Sequence, residues 1–365
     1  MRILSPVLNA DEASAVIDAG ASELYCGVLS GRWKEKYTNV ASPNRREWYV
    51  ANMQGYDQLA AVVDVAHAKN AKVYLTMNAL YTGGQYDEVQ EIIKQAGAVG
   101  ADAVIVADIG LLLSLREMGW KGEIHISTGG TTFNSETVAF YRDLGATRVI
   151  IPRQNRISEI GEIARSNPDM QIECFIMNCG CKNIDGFCTF HHGVRDLQTP
   201  FWWKLVKQLR GDYYLLALLR KLPISIREKV SRAKAFRSDS ACFLPYEIDI
   251  EAEEAAPGQV AALRQNLRNN FSLFSGVDTC GACPLWVMKA AGVYSLKIVG
   301  RANPLTKKVN DVKFLHTCIQ QLDQSPTRED FETFAKAEFR RVFGCDCRNW
   351  CYFPHEDLAL DAAQL

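Results

Sequence analysis

No stretch of the 365 residues approaches the ~20 consecutive apolar residues that a membrane-spanning helix needs. Charge of one sign is also lacking. The chain has 41 Lys and Arg against 42 Asp and Glu, and the net charge of −1 gives no global attraction to nucleic acid or acidic membranes. A Ser-His-Asp order, a His-Glu-x-x-His pair and a Walker-type loop are all missing, which leaves a hydrolase without a visible nucleophile or zinc site. The opening MRILSPVLNADEAS turns polar after a short apolar run and lacks the form of a signal peptide, so a cytoplasmic location is expected. Cysteine is scarce at first, with Cys26 alone in the first 170 residues.

Later cysteines raise the total to twelve and are bunched, in Cys174–Cys188, Cys242, Cys280–Cys283, Cys318 and Cys345–Cys351. In a reducing compartment that number argues against disulfides and for metal binding or redox chemistry. Buried thiols would scatter like other small apolar residues, whereas bunching in loop-like sequence suits ligands. Cys26, Cys174 and Cys318 fall in strand- or helix-like sequence and are expected to be packing residues.

The first half repeats one unit. β-rich runs at Arg2–Leu8, Glu23–Val28, Lys72–Asn78, Ala103–Asp108, Glu123–Thr128, Thr147–Arg153 and Gln171–Asn178 alternate with helical patterns such as Asp57–Asn70, Tyr86–Ala98, Ser135–Leu144 and Ser158–Ser166. Gly20-Ala21, Gly100-Ala101 and Gly145-Ala146 stand where helix C-caps would. Strands apolar throughout, alternating with helices, indicate a parallel sheet covered by helices. Seven such units favour an α/β fold of the modified TIM-type (β/α) barrel kind, with an open doubly wound sheet as the alternative. Ser295–Gly300 followed by Val309–Leu322 offers a last unit after a long interruption. The expected organisation is seven units in 1–192, an insertion in 193–241, the end of the barrel in 242–327 and a Cys-rich tail in 328–365.

The insertion is basic and aromatic. Leu197 to Arg237 holds ten Lys or Arg against Asp212 and Glu228, together with Phe201, Trp202, Trp203, Tyr213, Tyr214 and Phe236. Trp202, Leu205, Val206 and Leu209 lie at helical spacing beside Lys204, Lys207 and Arg210, the pattern of a basic amphipathic helix. RNA, an anionic membrane surface or an acidic protein partner would each fit it, as would a lid whose charges are simply solvated.

The Cys181-x6-Cys188 loop follows the seventh strand, at the barrel face where active sites sit. Cys242 and the Cys280-x2-Cys283 pair precede the last strand. Thiolates gathered from loops at one barrel mouth suit an iron–sulfur cluster, with structural zinc and merely buried thiols as alternatives. Cys345, Cys347 and Cys351, with Cys283 or Cys179, would complete a second four-thiolate site, unless they make ordinary contacts in a reduced tail. Asn78, Asp108, Ser127 and Arg153 end successive strands, and Arg301 follows the last. Each is a candidate to line a substrate site, with turn-forming or capping roles as the alternative. His191-His192 would supply protons beside the loop or sit plainly on the surface, and His355 is expected to be exposed. Gly129-Gly130 is a weak phosphate signal.

These residues resemble a family pattern. Glu173-Cys174-Phe175-Ile176-Met177-Asn178-Cys179-Gly180-Cys181 with Cys188, Cys242-Phe243-Leu244-Pro245-Tyr246, Asp278-Thr279-Cys280 and Ser295-Leu296-Lys297-Ile298-Val299-Gly300-Arg301 are similar to landmarks of peptidase family U32, the collagenase-like peptidases. Ala107-Asp108-Ile109-Gly110 and His125-Ile126-Ser127-Thr128 agree with it, and the resemblance covers roughly Met1–Leu322. The sequence is identified as a divergent member. Met177-Asn178 replaces a His-Gly, Val299 replaces a Glu, and 53 residues separate Cys188 from Cys242. Despite the family name, the resemblance is to iron–sulfur proteins of oxygen-independent hydroxylation. It implies a 4Fe-4S cluster on Cys181, Cys188, Cys242 and Cys280, with Cys283 as the alternative to Cys280. The expected function is hydroxylation of a nucleobase in RNA or of a small aromatic or isoprenoid metabolite. A peptidase, or a non-catalytic iron–sulfur accessory or RNA-binding protein, is the alternative. The electron donor and the oligomeric state are not legible.

Overall fold

Eight parallel strands close into a barrel in strict chain order: Arg2–Pro6 (β1), Glu23–Cys26 (β2), Lys72–Met77 (β3), Ala103–Val106 (β4), Glu123–Ile126 (β5), Arg148–Ile150 (β6), Gln171–Met177 (β7) and Ser295–Ile298 (β8). The closed barrel is the expected form, not the open sheet. Closure comes from β8 pairing with both neighbours, Arg2 opposite Ser295 on one side and Glu173 opposite Ser295 on the other. The computed structural model describes residues 1–37, 42–46, 51–178, 180–181, 184–187, 279–346 and 351–353. The basic insertion, Cys179, Cys188, Cys242, Cys347, His191, His192 and His355 lie outside them.

Helices Ala10–Asp18 (α1), Gly31–Lys36 (α2), Tyr56–Ala68 (α3), Tyr86–Ala98 (α4), Ile109–Glu117 (α5), Ser135–Asp143 (α6), Ile157–Ser166 (α7), Leu285–Ala290 (α8), Leu305–Leu322 (α9) and Arg328–Phe343 (α10) accompany the strands. Local chemistry sets their ends. Asn9 and Asn134 accept from Glu12 N and Thr137 N at 2.8 and 2.9 Å, satisfying first-turn donors. Gly20, Gly100 and Gly145 have φ of +115°, +82° and +95°. The following Ala21, Ala101 and Ala146 N–H groups reach back to the carbonyls of Val16, Ala96 and Tyr141, which is the Schellman closure. No helix among the described residues is long and apolar enough to cross a membrane.

Strand alternation splits the core in two. Outward residues such as Ile3, Leu24, Val73, Val104, Ile126, Val149, Ile172 and Leu296 pack with helix residues including Val16, Leu59, Ile92 and Leu115. Inward, Leu4, Tyr25, Tyr74, Ala103, Ile105 and Ile150 form a second cluster, with Phe175 against it. The strands are not apolar throughout, as the sequence pattern suggested. Glu23, Arg148, Glu173, Ser295 and Lys297 are also buried. Arg148 donates to both Glu23 oxygens at 2.8 Å and to Glu173 at 3.0 Å; Lys297 donates to Glu173 at 3.0 Å and Ser295 to Glu23 at 2.7 Å. Two cations against two carboxylates make the group neutral, which is what lets charge persist in a dry interior.

Candidate active site at the barrel mouth

Parallel strands present their C-terminal ends to one face, so the residues after them share a mouth. After β7, Asn178 takes a left-handed φ of +65° and turns its amide onto Val299 O at 3.2 Å and Asp311 Oδ2 at 2.7 Å. The same turn receives the segment that carries Cys280. Asn178 N donates to Thr279 O at 2.7 Å, Gly281 N to Ile176 O at 2.8 Å and Gly180 N to Thr279 Oγ1 at 3.1 Å. Two cysteine-bearing stretches, at Cys181 and Cys280, are thereby laid side by side at the mouth. A Cβ on Gly281 would fall 2.9 Å from Ile176 Cδ1 and 3.2 Å from the Phe353 ring, so any larger residue must push one of them aside.

The tail joins the same place. Cys351 forms a parallel bridge with Cys280, Tyr352 N donates to Cys280 O at 3.1 Å, and the Tyr352 hydroxyl bonds Asn178 O. Cys351 thus adjoins an expected ligand of the first centre, although the spacing grouped it with the second. Cys345 is exposed beyond α10, and Cys283 lies within electrostatic reach of Cys318 on α9. Among the described residues no group of three or more His, Cys, Asp or Glu is gathered tightly enough for a metal ion. Cys26, Cys174 and Cys318 are buried as packing residues; burial pushes the Cys26 thiol up to about 12 and the other two upward as well.

The strand-end candidates divide by partner. Asp108 accepts from Leu111 N at 2.8 Å and Tyr81 N at 3.1 Å, capping α5 and holding the loop after β3. Ser127 accepts from Asn78 Nδ2 at 3.2 Å, while Asn78 Oδ1 and Thr76 Oγ1 are buried with no hydrogen-bond partner among the described residues. Arg153 grips both oxygens of Asp185 at 2.8 and 2.9 Å, with its guanidinium carbon 3.7 Å from the Phe175 ring centre. Asp185 went unnoticed in the sequence, although an Asp-Gly turn inside the Cys181–Cys188 loop was a signal. Through it, that loop is fastened to the end of β6. Arg301, 5 % exposed, meets Asn44 Oδ1 at 3.0 Å, Asn44 O at 3.3 Å and Asn52 Oδ1 at 3.4 Å. Burial, with Arg46 nearby, pulls its pKa down to about 10. Asn44, Arg46 and Asn52 were also missed, because no motif marks the connection they occupy.

The family model for peptidase family U32 matches residues 8–199, half of the sequence. The chain belongs to peptidase family U32. This U32 chain is 30% identical over 241 residues to the uncharacterized protease MJ0090 of Methanocaldococcus jannaschii, covering 62% of this chain and 55% of that one. It is 32% identical over 137 residues to tRNA hydroxylation protein P of Escherichia coli (38% and 30% covered). It is 26% identical over 193 residues to the 23S rRNA 5-hydroxycytidine C2501 synthase of the same organism (53% and 26% covered). The chain therefore spans about half, or less, of the length of these relatives.

Proposed function

We propose that this U32 chain is an iron–sulfur redox enzyme that hydroxylates a nucleobase in RNA at the barrel mouth. The observation that carries the reading is the pairing of the Thr279–Gly281 backbone with Ile176, Asn178 and Gly180, which sets the Cys280 segment beside the Cys181 segment at the strand ends. Soft thiolates from separate loops suit an iron–sulfur cluster, and Cys181, Cys188, Cys242 and Cys280 would hold it. The cluster would supply one-electron chemistry. A second centre on Cys283, Cys345, Cys347 and Cys351 belongs to the same proposal. Two relatives named for RNA hydroxylation favour RNA over a small metabolite. The basic, aromatic insertion would be the contact to the strand.

A hydrolase needs a base beside its nucleophile. The described histidines, His67, His125 and His316, meet Asp102, Glu123 and Gln320, and none meets a serine or cysteine. The deciding experiment compares modified nucleosides of tRNA and rRNA between a deletion strain and wild type by mass spectrometry. One hydroxylated nucleoside should vanish on deletion and return with the wild-type gene but not with a Cys181→Ser version. Unchanged nucleosides in every RNA class would sink the RNA reading.

A further inference from the structure

Buried cations in this barrel come with carboxylates. Arg148 has Glu23 and Glu173, Lys297 has Glu173, Lys307 has Asp311, Lys308 has Glu12, and Arg153 has Asp185. Arg301 breaks the pattern. It is as buried as the others, yet its hydrogen-bond partners are the neutral Asn44 and Asn52, and among the described residues the permanently charged side chain that acts on it is another cation, Arg46. The sequence offers no acid next to it either, since Val299 precedes Gly300-Arg301. A guanidinium withdrawn from water with no counter-charge is expensive, and like charge beside it adds to the expense.

The surroundings are built to keep it there. A Cβ on Gly27, after β2, would fall 2.0 Å from Arg301 Nη1, so a side chain at that position would evict the guanidinium. Asn44 Nδ2 donates to Asn52 Oδ1 at 2.6 Å, which orients both amide oxygens towards Arg301. Ser42 Oγ takes Arg46 N at 3.0 Å and gives to Arg46 O at 2.7 Å, fixing the backbone that carries the second cation. β8 and β2 flank β1, so Arg301 and Gly27 stand one strand apart on the rim of the mouth.

We propose that Arg301 and Arg46 form an oxoanion subsite at the barrel mouth, taking a carboxylate or phosphate group of the molecule that enters it. Guanidinium forks match such groups in geometry, and a bound oxoanion would supply the counter-charge that no carboxylate among the described residues gives Arg301. The subsite stands apart from the redox reading, because it needs neither cluster nor turnover. Two sources share this chemistry, a free small oxoanion and a phosphodiester of a nucleic-acid strand.

The test is calorimetric binding by the full-length chain, purified anaerobically, with malonate, inorganic phosphate and a single-stranded RNA oligonucleotide as separate probes. At least one probe should bind wild type, and Arg301→Gln and Arg46→Gln should each weaken it at least tenfold. Weakened malonate or phosphate binding assigns the site to a small oxoanion. Loss confined to the oligonucleotide assigns it to a backbone phosphate. Arg46 is only partly buried, so Arg46→Gln keeps the test alive if Arg301→Gln fails to fold. Undiminished binding in the folded variants, or no binding of any probe to wild type, overturns the proposal.

Discussion

At the scale of single residues, the barrel interior is governed by charge balance. Burial alone would push the Glu173 carboxyl up, but Lys297 and Arg148 outweigh it and hold it below the usual range. Glu173→Gln keeps the volume and leaves two buried cations with one carboxylate, Glu23. The expected loss is about 3–5 kcal/mol of unfolding free energy, read from urea titrations. A loss under about 1 kcal/mol, the level of an exposed ion pair, would mean that water reaches the network. His125 gives a pH signature. Burial pulls its imidazole pKa below the ordinary value, and its Nε2 lies 2.9 Å from Glu123, whose carboxyl is held down to about 2, chiefly by that bond. The unfolded chain takes up a proton at His125 near pH ~6.5, which the folded chain refuses. Its stabilising contribution is therefore full above that pH and declines as pH falls through it. Glu123's contribution survives to lower pH, being full above about 4.5, where the unfolded carboxyl titrates, and lost progressively from there towards 2. Stability should drop between about pH 7.5 and about pH 5.5, and by less in His125→Gln. Equal drops would place the titration elsewhere.

Among the elements, the connection most sensitive to a small change is the one that brings Cys280 to β7. Gly281 lies between Ile176 and Phe353, and its N–H supplies one of the hydrogen bonds that hold the segment. Gly281→Ala forces one of those neighbours aside, at an expected cost of about 1–3 kcal/mol for overpacking. Because the strain falls on the cysteine segment, iron content should fall more than the thermal midpoint would suggest. Wild-type iron and stability in that variant would show that Cys280 needs no such registration. The helices are less exposed to single changes, since α9 packs on both α1 and α10 and its Phe314 meets Phe339 and Phe343 edge-on at 5.6 and 5.5 Å.

For the whole molecule, the question is how cysteines far apart in sequence come to one mouth. β7 and β8 are neighbours in the barrel although more than a hundred residues separate Met177 from Ser295; the chain leaves β7 at the mouth and returns there at Thr279–Gly281, against Ile176, Asn178 and Gly180, before α8 leads back to the opposite rim where β8 starts. That topology underlies the cluster prediction. Anaerobically purified wild type should absorb near ~400 nm through thiolate-to-iron charge transfer, and Cys181→Ser or Cys242→Ser should abolish it. Cys345→Ser with Cys347→Ser should lower iron per chain by about half if the tail completes its own four-thiolate centre. Zinc without iron in the wild type would overturn the first claim; unchanged iron in the double variant would leave one centre.

Much of the architecture could be read without coordinates because its signals are local. All eight strands appear as β-rich runs, and Gly20, Gly100 and Gly145 end helices where glycine alone accepts left-handed backbone cheaply. Alternation reports that a side chain faces a core, but not who meets it there. Hence Glu23, Arg148, Glu173 and Lys297 did not disturb an apolar reading of the strands, and nothing in the spacing tied Arg153 to Asp185 or Cys351 to Cys280. Each of those pairings exists only once the barrel closes and sets distant strand ends side by side. The sequence by itself determined the repeated β/α unit and a cysteine-rich mouth, through periodicity and composition. The tertiary structure decided which charges neutralise one another and that Arg301 is buried with no carboxylate partner among the described residues, because burial gives a charge its energetic meaning only when its surroundings are fixed in space.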